Sequence, residues 1–191
     1  GLDMKTEFRH GCLLAEENRI DSDWACFDAV HFDLIIACVG LNILIEGEEG
    51  DAIAAREYGD RTDIRLPEGQ HKFLTRILGL GKPVVIVVSA GSALDLSPYH
   101  DKAAAIVFSW YPGEQGGAAL ADLLFDRRDF SGKLPVSFPE RISDLPAFED
   151  YRMENRTYRY AAWKSFYPFG FGLSYRPLSL LGLESVPATL S

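Results

Sequence analysis

Three short apolar runs dominate the hydrophobic pattern of the chain. They cover residues 34–41, 83–90 and 104–110, and each is continuous rather than alternating. A continuous run rich in Val and Ile is typical of a strand buried on both faces, as in a parallel sheet. The pattern therefore predicts three strands, and the segment KLPVSF at residues 133–138 predicts a further one.

Helical periodicity separates these runs. Apolar residues recur at helical spacing over residues 73–78, and a glycine follows them. A second helical pattern covers residues 118–125. Because strands and helices alternate, we expect βαβ units with right-handed crossovers. The predicted class is α/β, a three-layer sandwich with a mostly parallel, roughly six-stranded sheet between helices.

Two segments are irregular. Residues 46–68 form a long polar loop, and loops of this length inside a compact domain are usually functional or disordered. Residues 139–177 are rich in aromatic residues and show little periodicity, so they predict an extended C-terminal arm. We expect residues 1–191 to form a single domain with its core at about 34–138.

Composition and charge exclude several classes of function. The chain has 191 residues and a formal net charge of -9, so binding to nucleic acid or to an anionic membrane surface is disfavoured. No apolar stretch approaches the roughly 20 residues that span a bilayer. The polar N-terminus is not a signal peptide. We expect a soluble protein, and its compartment is not indicated.

Cysteine and histidine give no sign of a metal site or a cofactor. Cys12, Cys26 and Cys38 are not spaced as CxxC, and the four His residues share no metal spacing. Cys38 lies inside an apolar run, so we expect it in the core. We predict no metal and no cofactor.

Four carboxylates follow the first predicted strand: Glu46, Glu48, Glu49 and Asp51. Ligands bind at the carboxyl ends of strands in open α/β sheets, so this cluster lies where a site is expected. Crowded like charges raise one another's pKa, and a carboxyl that stays protonated can act as a general acid. The alternatives are a solvated acidic loop and a calcium site, although the spacing is not that of an EF-hand.

A glycine-rich turn, WYPGEQGG, follows the third predicted strand. Its backbone N–H groups are suited to an anion, but the spacing is neither GxGxxG nor that of a P-loop. The alternative is a turn that needs glycine for its backbone angles. Trp110 and Tyr111 beside it are either a stacking platform for a sugar or core residues. No GxSxG motif is present, which disfavours a serine hydrolase.

Several motifs occur in a fixed order along the chain: LIEGEEGD with GDRTDIRLPEGQ, then GKPVVIVVSAGSALDL, AIVFSWYPGEQGG, SGKLPVSFP and YPFGFGLSY. Over residues 34–176 this order resembles the C-terminal α/β sandwich domain of family 3 glycoside hydrolases. The earlier segment EFRHGC is similar to the short strand that opens this domain.

The resemblance implies a retaining mechanism on β-linked glucosides or xylosides, in which two carboxyl groups lie about 5–5.5 Å apart. In the family the nucleophile is an Asp on a (β/α)8 barrel, and a Glu on a loop of the sandwich domain is the acid/base. That loop corresponds to residues 46–60. Glu46 is the first choice for the acid/base and Glu49 is the alternative. Asp60 and Arg61 match the GDR element, and we expect them to pair and brace the loop.

The same resemblance implies partners for the chain. Trp110, Glu114 and Gln115 are expected to line the outer part of the sugar site. A barrel needs about 250 residues, so we expect it as a separate domain in cis or in trans, with little activity in this chain alone. The motif SDW at residues 22–24 is similar to the family's nucleophile motif, but its neighbours are polar and it is interpreted as coincidence.

Other functions stay open. The chain is a fragment, a stand-alone domain or one part of a split enzyme, and family members are often periplasmic or secreted. The main alternative is a non-catalytic sugar- or protein-binding module that has lost its barrel. An exposed apolar patch distinguishes a docking domain from such a monomer, and a homodimer that covers the patch is a further outcome. A flavodoxin-like nucleotide binder is disfavoured because phosphate-binding spacing is absent.

Overall fold

The computed structural model describes residues 4–17, 24–48, 50–55, 59–176 and 182. The strands fall inside the three predicted apolar runs, and helices lie before, between and after these runs, which confirms the α/β class. In chain order the elements are α1 Trp24–Ala29, β1 Ile35–Gly40, α2 Glu68–Leu78, β2 Val84–Ser89, α3 Ser97–His100, β3 Ala105–Phe108, α4 Gly116–Leu124, a 3-10 turn Ile142–Asp144 and α5 Thr157–Tyr160.

The three strands form one parallel sheet in the order β1-β2-β3. Val88 of the central strand pairs with Val39 of β1 and with Phe108 of β3. Val87 and Val88 point to opposite faces of β2, and both are buried, with 3% and 0% of their surface exposed. A continuous apolar run is therefore a correct sign of the central strand.

The described sheet has three strands, whereas about six were expected. Residues 133–138 do not extend it, because they pair with the C-terminal arm instead. The N–H of Phe138 donates to the carbonyl oxygen of Tyr167 at 2.8 Å, in an isolated antiparallel bridge. Pro135 lies inside this segment, and proline has no N–H to donate to a central strand.

The first strand, β1, lies at an edge of the described sheet and has an open face. Ile36 is 42% exposed and Cys38 is also exposed, whereas Ala37 and Val39 are buried. The prediction that Cys38 is a core residue is therefore wrong. Buried and exposed side chains alternate along residues 36–39, but the sequence does not show this, because apolar side chains occupy both faces of this edge strand.

The helix α2 fits its prediction closely. Pro67 precedes it, Gly79 follows it, and its apolar face packs Leu74 and Ile77 into the core, where each is at most 1% exposed. With 11 residues it is the longest helix described. Within the described ranges, every helix is too short or too polar to cross a bilayer.

The C-terminal arm packs on the sheet through aromatic rings. Phe138 is 1% exposed, and its ring makes edge contacts with Phe108, Trp110 and Tyr167. The hydroxyl of Tyr167 also lies 2.7 Å from Nδ1 of His100, which ends α3. As predicted, the arm is irregular and aromatic, and Tyr167 joins it to the rest of the domain.

Candidate active site

Three loops converge on the carboxylate of Glu46. The loop after β1 carries Glu46, the loop after β2 carries Gly91 and Ser92, and the loop after β3 carries Tyr111. The strands are parallel, so these loops all leave the same edge of the sheet. That edge is where ligands bind in open α/β folds, and the predicted placement of Glu46 is consistent with it.

Each converging loop donates a hydrogen bond to Glu46. The backbone N–H of Gly91 donates to Oε2 at 2.7 Å. The hydroxyl of Tyr111 donates to the same oxygen at 2.5 Å. The hydroxyl of Ser92 donates to Oε1. Both carboxylate oxygens are thus held by groups from outside their own loop.

The turn that carries Glu46 is anchored in the core. The backbone N–H groups of Ile45 and Glu46 both donate to the carbonyl oxygen of Asn42, at 3.0 and 2.8 Å. The side chain of Asn42 accepts a third bond from the N–H of Leu44 at 3.0 Å. Ile45 is buried, with 5% exposure, so the next residue, Glu46, is fixed at the rim of the sheet.

The turn after β3 is fixed by Trp110. Its backbone has φ 55°, in the left-handed region, and its ring makes an edge contact with Phe108 at 4.7 Å. Next to it, the N–H of Ser109 donates to the carbonyl oxygen of Val88 at 2.8 Å. This turn directs the following residue, Tyr111, toward Glu46. The ring of Trp110 packs against the core, and it was expected to line the sugar site.

The electrostatics of Glu46 differ from the expectation. Burial raises its pKa, but the hydrogen bonds from Ser92, Tyr111 and Gly91, together with the charge of Arg61, outweigh burial and lower it overall. Carboxylate crowding predicts the opposite direction. The carboxylates that crowd Glu46 are neighbours in sequence, whereas these donors come from loops that are distant in sequence. Glu46 in this structure is a carboxylate at neutral pH.

The pKa of Tyr111 shifts in the opposite direction to that of Glu46, as expected for the donor of a hydrogen bond to a carboxylate. Burial and its hydrogen bond to Glu46 raise the pKa of Tyr111 to about 12. Its phenol therefore stays protonated and remains a hydrogen-bond donor across the physiological range. About half of the side chain is exposed, so the contact lies at the surface rather than in the core.

Arg61 contacts the backbone of Arg65 rather than the side chain of Asp60. The guanidinium of Arg61 donates to the carbonyl oxygen of Arg65, and its charge acts on Glu46 and Asp63. No ion pair joins Asp60 and Arg61, both of which the structure describes. The expected pair is thus not formed in the described part of the chain, and the bracing role of the two residues stays a prediction. Asp63 instead pairs with Arg65 at 2.5 Å, which fixes the local turn.

The other predicted site residues lie apart from this contact set. Glu114 and Gln115 are exposed in the turn before α4. Glu49, the alternative acid/base, and Asp23 of the SDW motif lie outside the described residues. The sequence pattern alone does not connect Ser92 and Tyr111 with Glu46. The available signal was their position directly after the second and third apolar runs.

A cavity of about 650 Å³ lies next to the loop, a size typical of ligand pockets. The residues described in its lining include Ile45 and Arg61 but not Glu46, so it is a neighbour of the carboxylate site. Its wall holds His71, whose Nδ1 lies 2.8 Å from the hydroxyl of Tyr99. No cluster of three or more His, Cys, Asp or Glu side chains in the described ranges is arranged to hold a metal ion.

Known proteins resemble this chain along most of its length. It is 42% identical over 163 residues to the xylan 1,4-beta-xylosidase of Xylanibacter ruminicola, covering 85% of this chain and 19% of that protein. It is 35% identical over 165 residues to the periplasmic beta-glucosidase of Salmonella typhimurium, covering 80% and 20%. The chain therefore spans about a fifth of the relatives that it matches.

Solved structures show the same likeness. A GH3 exo-beta-xylosidase in complex with a xylobiose aziridine probe superposes with a TM-score of 0.73 at 28% identity, over 86% of this chain and 22% of that one. A beta-glucosidase of Listeria innocua in complex with gluconolactone gives 0.64 at 28% identity, over 85% and 23%. The family model described as the glycosyl hydrolase family 3 C-terminal domain matches residues 17–175, and the chain belongs to that family.

Proposed function

We propose that this chain forms part of a retaining β-glycosidase, and that it supplies Glu46 as the acid/base to a (β/α)8 barrel in cis or in trans. The substrate class is a β-linked glucoside or xyloside. The observation that carries the proposal is the convergence of three loops on Glu46 at the ligand-binding edge of the sheet. The names of the xylosidase and glucosidase relatives support the substrate class.

A retaining glycosidase needs two carboxyl groups about 5–5.5 Å apart. The barrel nucleophile attacks the anomeric carbon while the acid/base protonates the leaving oxygen, and the same group then activates water. Glu46 is ionised in this structure, which is the form needed for the second step. A barrel carboxylate at this short distance raises the pKa of Glu46, because two neighbouring negative charges repel, and so favours the acid form for the first step.

Exposed apolar side chains beside Glu46 favour docking of a barrel. Ile43, Leu44 and Ile53 lie on the loop that carries Glu46, and they are 71%, 40% and 64% exposed. Contiguous exposed apolar surface is typical of an interaction site. A monomeric module adapted to function alone is expected to have lost it. The alternative is that a second copy of this chain covers this face. In that case sedimentation analysis of the chain alone would show a dimer.

The proposal is tested with a chimera in which residues 17–175 of this chain replace the matching segment of the Xylanibacter ruminicola xylosidase. We expect hydrolysis of aryl β-xyloside or aryl β-glucoside by this chimera, and none by the chain alone. Glu46→Gln is expected to abolish most turnover of substrates with poor leaving groups. Glu48→Gln is the matched control, because it removes an exposed carboxylate two residues away.

Three outcomes contradict the assignment. If Glu49→Gln abolishes turnover and Glu46→Gln does not, Glu49 is the acid/base. If neither variant changes turnover in an active chimera, the loop does not supply the acid/base. If the chain alone is active, a complete site exists within it, and Asp23 becomes the first candidate for the nucleophile.

A further inference from the structure

We infer that Tyr111 is a positioning residue: together with the Gly91 amide it occupies Oε2 of Glu46, so that Oε1 is the oxygen that carries the transferable proton. This inference rests on the proposed function, since it specifies how Glu46 performs proton transfer. It goes further by assigning a role to Tyr111 and by distinguishing the two carboxylate oxygens.

A carboxylate has about four lone-pair positions that accept hydrogen bonds, two on each oxygen. Oε2 accepts from the N–H of Gly91 at 2.7 Å and from the hydroxyl of Tyr111 at 2.5 Å. Both of its positions are filled. Among the described residues, only the hydroxyl of Ser92 donates to Oε1, which leaves one of its positions open. A proton that joins Glu46 without breaking a contact therefore binds to Oε1.

The donors also differ in how they respond to a proton. A backbone N–H only donates, so the position facing Gly91 stays filled in both protonation states. The Ser92 hydroxyl rotates, and it can accept as well as donate. When Oε1 is protonated, Ser92 can turn away or accept without a clash between two hydrogens. The Tyr111 hydroxyl can also rotate, so the asymmetry comes from the Gly91 amide, which is a fixed donor on Oε2 that Oε1 lacks among the described residues.

In the described part of the chain, the groups that face Glu46 come from three loops. The loop after β2 contributes Gly91 and Ser92, which do not titrate. The loop after β3 contributes Tyr111, which stays protonated because burial and Glu46 raise its pKa. Arg61, farther along the loop that carries Glu46, adds a positive charge. Tyr111→Phe removes the hydroxyl that donates to Glu46 and keeps the aromatic ring.

Glycine at position 91 supports the same arrangement. A Cβ there would lie 2.9 Å from Cε2 of Tyr111 and 3.2 Å from Oε2 of Glu46. Both distances are shorter than ordinary contact, and the one to the Tyr111 ring is the shorter. Gly91→Ala therefore keeps the backbone donor but pushes the Tyr111 ring from Oε2. It gives a second way to break the contact, independent of Tyr111→Phe.

The contacts of Tyr111 and Gly91 with Glu46 are tested by titrating the Glu side-chain carboxyl carbons by NMR in the full chain. Tyr111→Phe is expected to shift the midpoint of Glu46 upward, and Gly91→Ala to shift it in the same direction. Tyr151→Phe, which changes a side chain that is 85% exposed, is the matched control and is expected to shift nothing. An unchanged Glu46 midpoint in both Tyr111→Phe and Gly91→Ala overturns the inference.

The chimera described above separates this inference from the proposed function. In it, Tyr111→Phe is expected to move the alkaline limb of the kcat/KM profile to higher pH and to leave the KM for aryl glycosides within about twofold. An unmoved limb overturns the role of Tyr111 in proton transfer. If instead the Glu46→Gln chimera is fully active, the proposed function fails. The NMR titration would still test the contact between Tyr111 and Glu46.

Discussion

The side-chain amide of Gln70 clamps the backbone of Gly40. Oε1 of Gln70 accepts from the N–H of Gly40 at 2.7 Å, and Nε2 donates to its carbonyl oxygen at 2.7 Å. The same Nε2 also donates to the carbonyl oxygen of Leu14 at 2.6 Å. Gly40 ends β1 with φ 143°, and a Cβ there would lie 1.9 Å from the Ser89 carbonyl oxygen. The clamp thus fixes the point where the chain turns toward Glu46.

Gln70→Leu is expected to destabilise the fold by about 3 kcal/mol, because it leaves buried backbone groups without partners. Gln70 is 1% exposed, so water does not replace the lost bonds. The measurement is the free energy of unfolding by urea. Gln115→Leu makes the same change at an exposed residue and is expected to shift stability by less than about 0.5 kcal/mol. Equal midpoints for the two variants would show that the clamp contributes nothing.

Gly116→Val is expected to destabilise the start of α4. A Cβ at Gly116 would lie 2.4 Å from Cβ of Pro112, whose ring has little freedom to move. We expect a loss of about 2 kcal/mol, as for other overpacked sites. Gly117→Val is the matched control, since a Cβ there meets nothing within 4 Å. Thermal unfolding of the two variants decides the matter, and equal melting temperatures would contradict the tight turn before α4.

The strands and the main helix were predictable because their signals are local. Residues 86–88 of β2 are buried and consecutive in sequence, and Leu74 and Ile77 of α2 lie three positions apart on one face. Cys38 was mispredicted because burial at a sheet edge depends on what covers that face, which is information from elsewhere in the chain. The prediction that residues 133–138 form a further strand of the sheet was wrong for a related reason, because this segment pairs with the C-terminal arm.

The site was only partly predictable. The position of Glu46 followed from the rule that ligands bind at the carboxyl ends of parallel strands. The direction of its pKa did not follow, because Ser92 and Tyr111 are 46 and 65 positions away in sequence. Local crowding was visible along the chain, whereas the three donors meet the carboxylate only after folding. Asp60 and Arg61 are neighbours in sequence, yet Arg61 bonds elsewhere.

Activity of the chimera is expected to depend on the leaving group. Glu46→Gln should lower kcat/KM for alkyl glycosides by about 100-fold or more, the usual contribution of a general acid. Activated aryl glycosides need little protonation, so their first step should suffer less. The measurement is a plot of log kcat/KM against leaving-group pKa. A plot no steeper for Glu46→Gln than for Glu48→Gln would show that Glu46 does not protonate the leaving oxygen.

The Ser92 contact should stabilise the fold in a pH-dependent way. The folded-state pKa of Glu46 is lowered, so this contribution is present above the unfolded pKa of about 4.3 and is lost as pH falls through the lower folded value. Ser92→Ala should therefore cost about 1 kcal/mol near neutral pH, a figure reduced for partial exposure. The cost should shrink when unfolding is measured at about pH 3. Ser131→Ala, at an exposed serine, is the control. A cost for Ser92→Ala that stays constant from neutral to acid pH would mean that Ser92 does not stabilise the ionised form of Glu46.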